Sequence, residues 1–310
     1  MQIALEPAGR IAPVAELLNT YEIGEMARRK VDAATWALLA PADRAAFDRI
    51  TFRPRLMVNT TGMDLTLELF GEKHFAPLLV GPVANQRRFH PEAELEMARG
   101  AAAAKATLVI SAESSVALEQ IVPLAKAGAW FQLKLEPDMA KSAALAKRAV
   151  AAGCKVVIAT GGNWKALAAL VKAAGAPVVA KGVLSVADAE AAIGAGAQGL
   201  VVSGWTERGA TGKNEAIEVL PAIADAVNGR VAVLVDGGFR RGSDVLKGLA
   251  LGAKAVLVAR APVCGLAAYG AAGVQRAMEI LQTDLARDMA GCGKANLAAI
   301  SRDTVKIHRF

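Results

Sequence analysis

Two kinds of segment alternate along this chain. Short runs, apolar at nearly every position and rich in β-branched residues, recur at 77–80, 107–111, 129–134, 155–160, 177–181, 199–203, 231–236 and 255–259. Between and after them lie stretches with apolar positions at helical spacing: 91–105, 115–127, 137–152, 164–174, 186–195, 215–226, 242–251 and a long 262–289. Runs such as Val156-Val157-Ile158-Ala159 have no polar alternation, which is what a strand buried on both faces requires. Strands separated by helices pair in parallel, because each helix carries the chain back across the sheet. Eight such units predict an α/β fold, the (β/α)8 TIM barrel. Gly128, Gly153, Gly175, Gly196 and Gly252 follow the predicted helices and fit C-terminal caps. A doubly wound sheet is the alternative, but it wants a GxGxxG after an early strand, and none is present.

Residues 1–75 precede the first predicted strand. Helices are expected at 21–29 and 43–49. The stretch 64–70, followed by Gly71-Glu72, reads as a β-hairpin placed to plug the barrel's bottom. With no repeat or linker, the chain reads as one domain over 1–310, with an extension (1–75) and a barrel (76–310).

Composition narrows the function classes. The 310 residues are 54% hydrophobic and 21% charged, which excludes extensive disorder. Cys154, Cys264 and Cys292 are far apart, so neither a disulfide framework nor a zinc cluster is expected. His74, His90 and His308 form no metal-binding spacing, so no metal is expected. The net charge of +7 is spread along a chain with 5% aromatics, which favours a solvated surface with a few anion-binding arginines over nucleic-acid binding. No apolar run reaches the roughly 18 residues of a membrane span. The start lacks a basic region followed by an apolar core, so a cytoplasmic protein is expected.

In a barrel the chemistry sits at the C-terminal strand ends. The last two ends carry the strongest signal: Asp236-Gly237-Gly238-Phe239-Arg240-Arg241 and Ala259-Arg260. The two glycines let backbone approach an anion, and Arg240 and Arg260 are placed to neutralise it, so a phosphate site is expected there. Lys181 directly follows an apolar run and should project into the mouth, as a Schiff-base nucleophile or as a fixed cation beside a cofactor.

Several segments together resemble the FMN-dependent 2-hydroxy-acid oxidases and dehydrogenases, the glycolate oxidase and lactate oxidase group. They are Phe52-Arg53-Pro54-Arg55, Gly81-Pro82-Val83-Ala84, His90-Pro91-Glu92, Trp130-Phe131-Gln132-Leu133, Lys181-Gly182-Val183 and the run from Asp236 to Val245. The resemblance implies FMN over the strand ends. Arg240 and Arg260, with backbone near Gly237, Gly238 and Ala259, would hold its phosphate. Asp236 and Ser203 would contact the ribityl chain, and Lys181 would stand beside N1/O2 of the ring. Gln132 and Thr160 would bond the pyrimidine edge, while Pro82, Val83, Ala84 and Ser111 would line the other side. Val83 stands where a threonine is commoner. A small organic acid as substrate and a homo-tetramer are also implied.

The substrate half departs from the family pattern. The family's histidine base falls at Trp205, its strand-3 tyrosine at Lys134, and the aspartate supporting the histidine at Gly162. The N-terminal tyrosine falls at about Leu38. Of two carboxylate-binding arginines, Arg208 remains; the loop carrying the other is absent, since Thr160-Gly161-Gly162 runs straight into Asn163. Losing a positioned base forfeits about 10²–10⁴ in rate. The sequence therefore points to an FMN oxidoreductase acting on an altered or bulkier substrate, with Glu207 or Lys134 as proton acceptor. A flavin-dependent isomerase or other flavoenzyme, and an FMN-binding protein without turnover, are the alternatives.

Overall fold

The computed structural model describes residues 10–40, 44–206, 209–210 and 215–308. Its centre is a closed barrel of eight parallel strands. The strands are β1 Leu78–Val80, β2 Leu108–Ser111, β3 Ala129–Lys134, β4 Val157–Thr160, β5 Val178–Val183, β6 Gly199–Val202, β7 Ala232–Asp236 and β8 Ala255–Val258, and β8 pairs with β1 to close the ring. The expected TIM barrel is thus present. Every strand lies within two residues of its expected position.

Side chains alternate between the two faces of each strand. Leu79, Val109, Trp130, Ile158, Val179, Val201, Leu234 and Leu257 fill the interior. The intervening residues pack outward against the helices in a second, larger core. That division explains the uniformly apolar runs: both faces are buried, and each aliphatic side chain so placed contributes about 1.5–3 kcal/mol.

Ten helices longer than one turn are described: α1 Thr20–Lys30, α2 Ala33–Leu39, α3 Ala93–Ala103, α4 Met139–Ala152, α5 Trp164–Ala173, α6 Val186–Gly194, α7 Glu215–Val227, α8 Gly242–Ala250, α9 Arg260–Tyr269 and α10 Ala271–Gly291. The expected caps at 128, 153, 175, 196 and 252 all have positive φ, where glycine carries no steric penalty.

The hairpin is also present, as Leu67–Leu69 paired antiparallel with Glu72–His74. Phe70 at its tip meets Trp130 edge-on, with centroids 5.5 Å apart. A Cβ added to Gly199, at the start of β6, would lie 2.8 Å from Phe70 Cζ. The tip therefore enters the barrel from the N-terminal strand ends.

Three local expectations need correction, and some elements were not expected at all. The stretch 115–127 holds only the one-turn helix Leu118–Ile121 and a 3₁₀ turn, Val122–Leu124, because Pro123 removes a helical donor. The stretch 262–289 is broken into α9 and α10 at Gly270, whose φ of 61° and ψ of −141° no helix admits. Helix α2, capped by Asp32, was not foreseen; of the expected 43–49, residue 43 lies outside the described residues and the rest forms the one-turn helix Ala45–Asp48. A strand at Val305–Ile307, paired with Ile50–Phe52, was missed as well. Among the described residues, no helix is long and apolar enough to cross a membrane.

Candidate functional site

Gly81, Ser111, Gln132, Thr160, Lys181, Ser203, Asp236 and Ala259 each follow an interior core residue by two positions. By the period-two rule they share the inward direction and form the uppermost layer of the barrel. Seven of these eight had been singled out for cofactor contact. The structure brings them together at one mouth.

Within this layer, neighbours are bonded across strands. The Gln132 amide donates to Thr160 Oγ1 at 3.1 Å. The Lys181 ammonium donates to Ser203 Oγ at 2.9 Å and pairs with the Asp236 carboxylate. The lysine side chain is only 4% exposed, so its charge is committed to the mouth and not to bulk solvent. Gly182 follows with φ +99°, and the β5–β6 register shifts between Lys181 and Val183. A bulge of this kind re-aims the side chains beside it.

The loop after β7 builds an anion cradle. Gly237 and Gly238 both have positive φ. Arg240 is 3% exposed, and its Nε and Nη1 have no hydrogen-bond partner among the described residues. Buried donors are normally satisfied. Arg260, the first residue of α9, stands near enough to feel it: burial, and then the like charge of Arg240, push the Arg260 guanidinium below its ordinary value. Cys264, one turn further along α9, is buried beside both arginines, and burial pushes its thiol up to about 11. A buried cation with two orphaned donors, beside a second, half-buried cation, calls for an anion. A phosphate supplies both the charge and the acceptors, so these residues suit a phosphate-bearing cofactor such as FMN.

Across the mouth, Pro82, Val83 and Ala84 follow β1 and are half-buried. The Gln86 amide donates to the Val83 carbonyl at 3.2 Å. Between the starts of α5 and α6 lies a cleft of about 340 Å³, lined by Leu135, Leu167, Val183 and Trp164 and continuous with Thr160 and Lys181. Its opening follows from the short β4–α5 connection. Gly161 and Gly162, at φ 77° and 74°, turn directly into the Asn163 cap. Lys134 is exposed at the end of β3, and Leu38 is exposed on α2. Trp205 opens a two-residue strand opposite Ala210. Glu207 and Arg208 lie outside the described residues.

Sequence reasoning missed the supports of the cradle. Arg44, Thr20 and Tyr21 come from the extension, where no motif marked them. Asp244 lay inside the quoted Asp236–Val245 run but was given no role.

The chain matches the FMN-dependent dehydrogenase family model over residues 31–161 and 157–307. It is 35% identical to the 4-hydroxymandelate oxidase of Amycolatopsis orientalis, over 83% of this chain and 87% of the relative. It is 32% identical to an L-lactate oxidase of Alicycliphilus denitrificans, over 97% and 99%. A solved structure of mandelate oxidase with (S)-2-phenylpropionate superposes with a TM-score of 0.89 at 33% identity, covering 95% of this chain and all of that one.

Proposed function

The chain belongs to the FMN-dependent dehydrogenase family, and on that premise we propose that it oxidises a 2-hydroxy acid larger than glycolate or lactate at the mouth of its barrel. Its cofactor is FMN, and its relatives are oxidases of hydroxy acids. Those relatives do not favour the isomerase and binding-only alternatives. When bound, FMN supplies the acceptor for the two electrons that leave the alcohol carbon.

In this reading the chain's own residues divide the work. Arg240 and Arg260 neutralise the phosphate, and Gly237 and Gly238 let backbone approach it. Ser203 and Asp236 would contact the ribityl chain. Lys181 would hold a fixed positive charge beside the ring. Gln132 and Thr160 would present hydrogen-bonding groups to the ring's polar edge, with Val83, Ala84 and Ser111 lining the other side. Arg208 binds the substrate carboxylate. The hydroxyl proton goes to the Glu207 carboxylate, or to Lys134 as its neutral amine, because an indole at position 205 has no available lone pair to accept it.

The observation that carries the cofactor assignment is the buried Arg240 guanidinium with two unpartnered nitrogens. The larger substrate rests on the 340 Å³ cleft beside Thr160 and Lys181, which falls in the range of ligand pockets, about 300–1,000 Å³. A steady-state screen of 2-hydroxy acids, 2-amino acids and bulkier acids with an artificial electron acceptor tests the reading. Turnover restricted to bulky 2-hydroxy acids supports it. Efficient turnover of glycolate, or of amino acids alone, refutes it.

A further inference from the structure

The anion cradle after β7 is held in shape by side chains that do not themselves enter it. Asp244, in the first turn of α8, is 1% exposed. Its Oδ2 accepts from the backbone N–H groups of both Arg240 and Arg241, each at 2.9 Å. Arg44, from the extension, grips the same carboxylate with two nitrogens, Nη2 to Oδ1 at 2.7 Å and Nη1 to Oδ2 at 2.9 Å. Nη1 also donates to the Gly238 carbonyl at 2.7 Å. Thr20, at the start of α1, donates its hydroxyl to the Arg240 carbonyl at 2.6 Å and is itself buried.

The Arg240 side chain is confined as well. The Tyr21 ring lies 5.0 Å from its guanidinium, and a Cβ on Gly24 would come within 3.3 Å of Nη2. Backbone groups of Gly238, Arg240 and Arg241 are thus fixed by Arg44, Asp244 and Thr20, while Nε and Nη1 of Arg240 stay unpartnered. The loop's bonds are satisfied by its supports, and the guanidinium is left for a ligand.

We infer that Arg44, with Asp244 and Thr20, positions the phosphate-binding loop, so that the N-terminal extension sets the preference for a phosphorylated flavin without touching it. This rests on the assignment of Arg240 and Arg260 to the FMN phosphate. A buried carboxylate bonded by a two-pronged guanidinium and two backbone N–H groups is rigid, and a rigid donor set loses little on binding. Lysine in place of Arg44 keeps the charge but cannot make the two-pronged contact.

The test compares FMN with riboflavin, which lacks the phosphate, on the deflavinated full-length protein. The wild type is expected to bind FMN far more tightly than riboflavin. Arg44→Met should reduce that ratio by about tenfold or more, with riboflavin affinity little changed, and Arg44→Lys should fall between. Thr20→Val removes one hydroxyl at near-constant shape and should reduce the ratio by several-fold; it decides the matter if Arg44→Met does not fold. A general loosening of the barrel would weaken both flavins in parallel, so a ratio unchanged in every folded variant overturns the inference. A wild type with no preference for FMN overturns instead the phosphate assignment, and this inference with it.

Discussion

Lys181 and Asp236 form an ion pair across the barrel mouth, spanning β5 and β7, with Ser203, just past the end of the intervening β6, accepting from the same ammonium. Three strand ends are therefore locked together by one buried charge. A pair of this kind is worth little against an apolar replacement, but removing one partner strands the other.

Lys181→Met is accordingly expected to destabilise the protein by about 3–5 kcal/mol, and adding Asp236→Asn should recover part of that loss. Urea unfolding of the two single variants and the double variant measures the coupling. In variants that still hold flavin, loss of the ammonium should weaken sulfite addition to the ring. Sulfite affinity equal to wild type would remove Lys181 from its assigned place.

Arg260→Ala is expected to behave oppositely with and without cofactor. It should cost FMN affinity roughly 1.5–3 kcal/mol, by loss of a charge-assisted contact. In the flavin-free protein it also relieves the repulsion from Arg240, so the melting temperature should fall little. Equal losses in both forms would mean that Arg260 serves the fold and not the anion.

Restoring a family-like base is constrained by the backbone. Trp205→His supplies an imidazole at the end of β6. Gly162→Asp, the other half of the family arrangement, meets both a φ of +74° and a Cβ contact of 2.8 Å with Leu135 Cβ. It should destabilise by about 1–3 kcal/mol. Trp205→His alone is therefore expected to raise flavin reduction by L-lactate modestly, and the double variant to lose stability without a further gain. Stopped-flow reduction and thermal melts of the two variants check this.

The hairpin plug should matter for stability and not for flavin. Gly199→Ala forces a methyl against Phe70, Val179 and the Ala232 carbonyl, within 2.8–3.2 Å. Overpacking of this kind costs about 1–3 kcal/mol. The melting temperature should drop while the ratio of FMN to riboflavin affinity stays at the wild-type value.

The sequence exposed those features that repeat or that depend on residue type. Uniformly apolar runs betrayed strands buried on both faces, and the polar and charged residues where those runs end marked the mouth. Lys181 and Asp236 were legible for that reason, whereas Gln132 and Thr160 were assigned through the family resemblance. The supports of the cradle were not, because their partners are distant in the chain: Arg44 lies 200 residues from Asp244, and Thr20 lies 220 from Arg240. Nor does local pattern reveal that Gly270 splits the last long helix, since it depends on α9 and α10 packing at Gly265 and Gly273.

Anaerobic mixing of the flavin-loaded protein with a panel of acids tests the central claim most directly. The account predicts that one or more bulky 2-hydroxy acids bleach the flavin within the time of a catalytic cycle, while glycolate and L-lactate bleach it very slowly or not at all. Rapid bleaching by those two would contradict it, showing that Trp205 is no obstacle to the oxidation of small hydroxy acids. A flavin that dithionite reduces but no acid in the panel bleaches would contradict the oxidase reading itself.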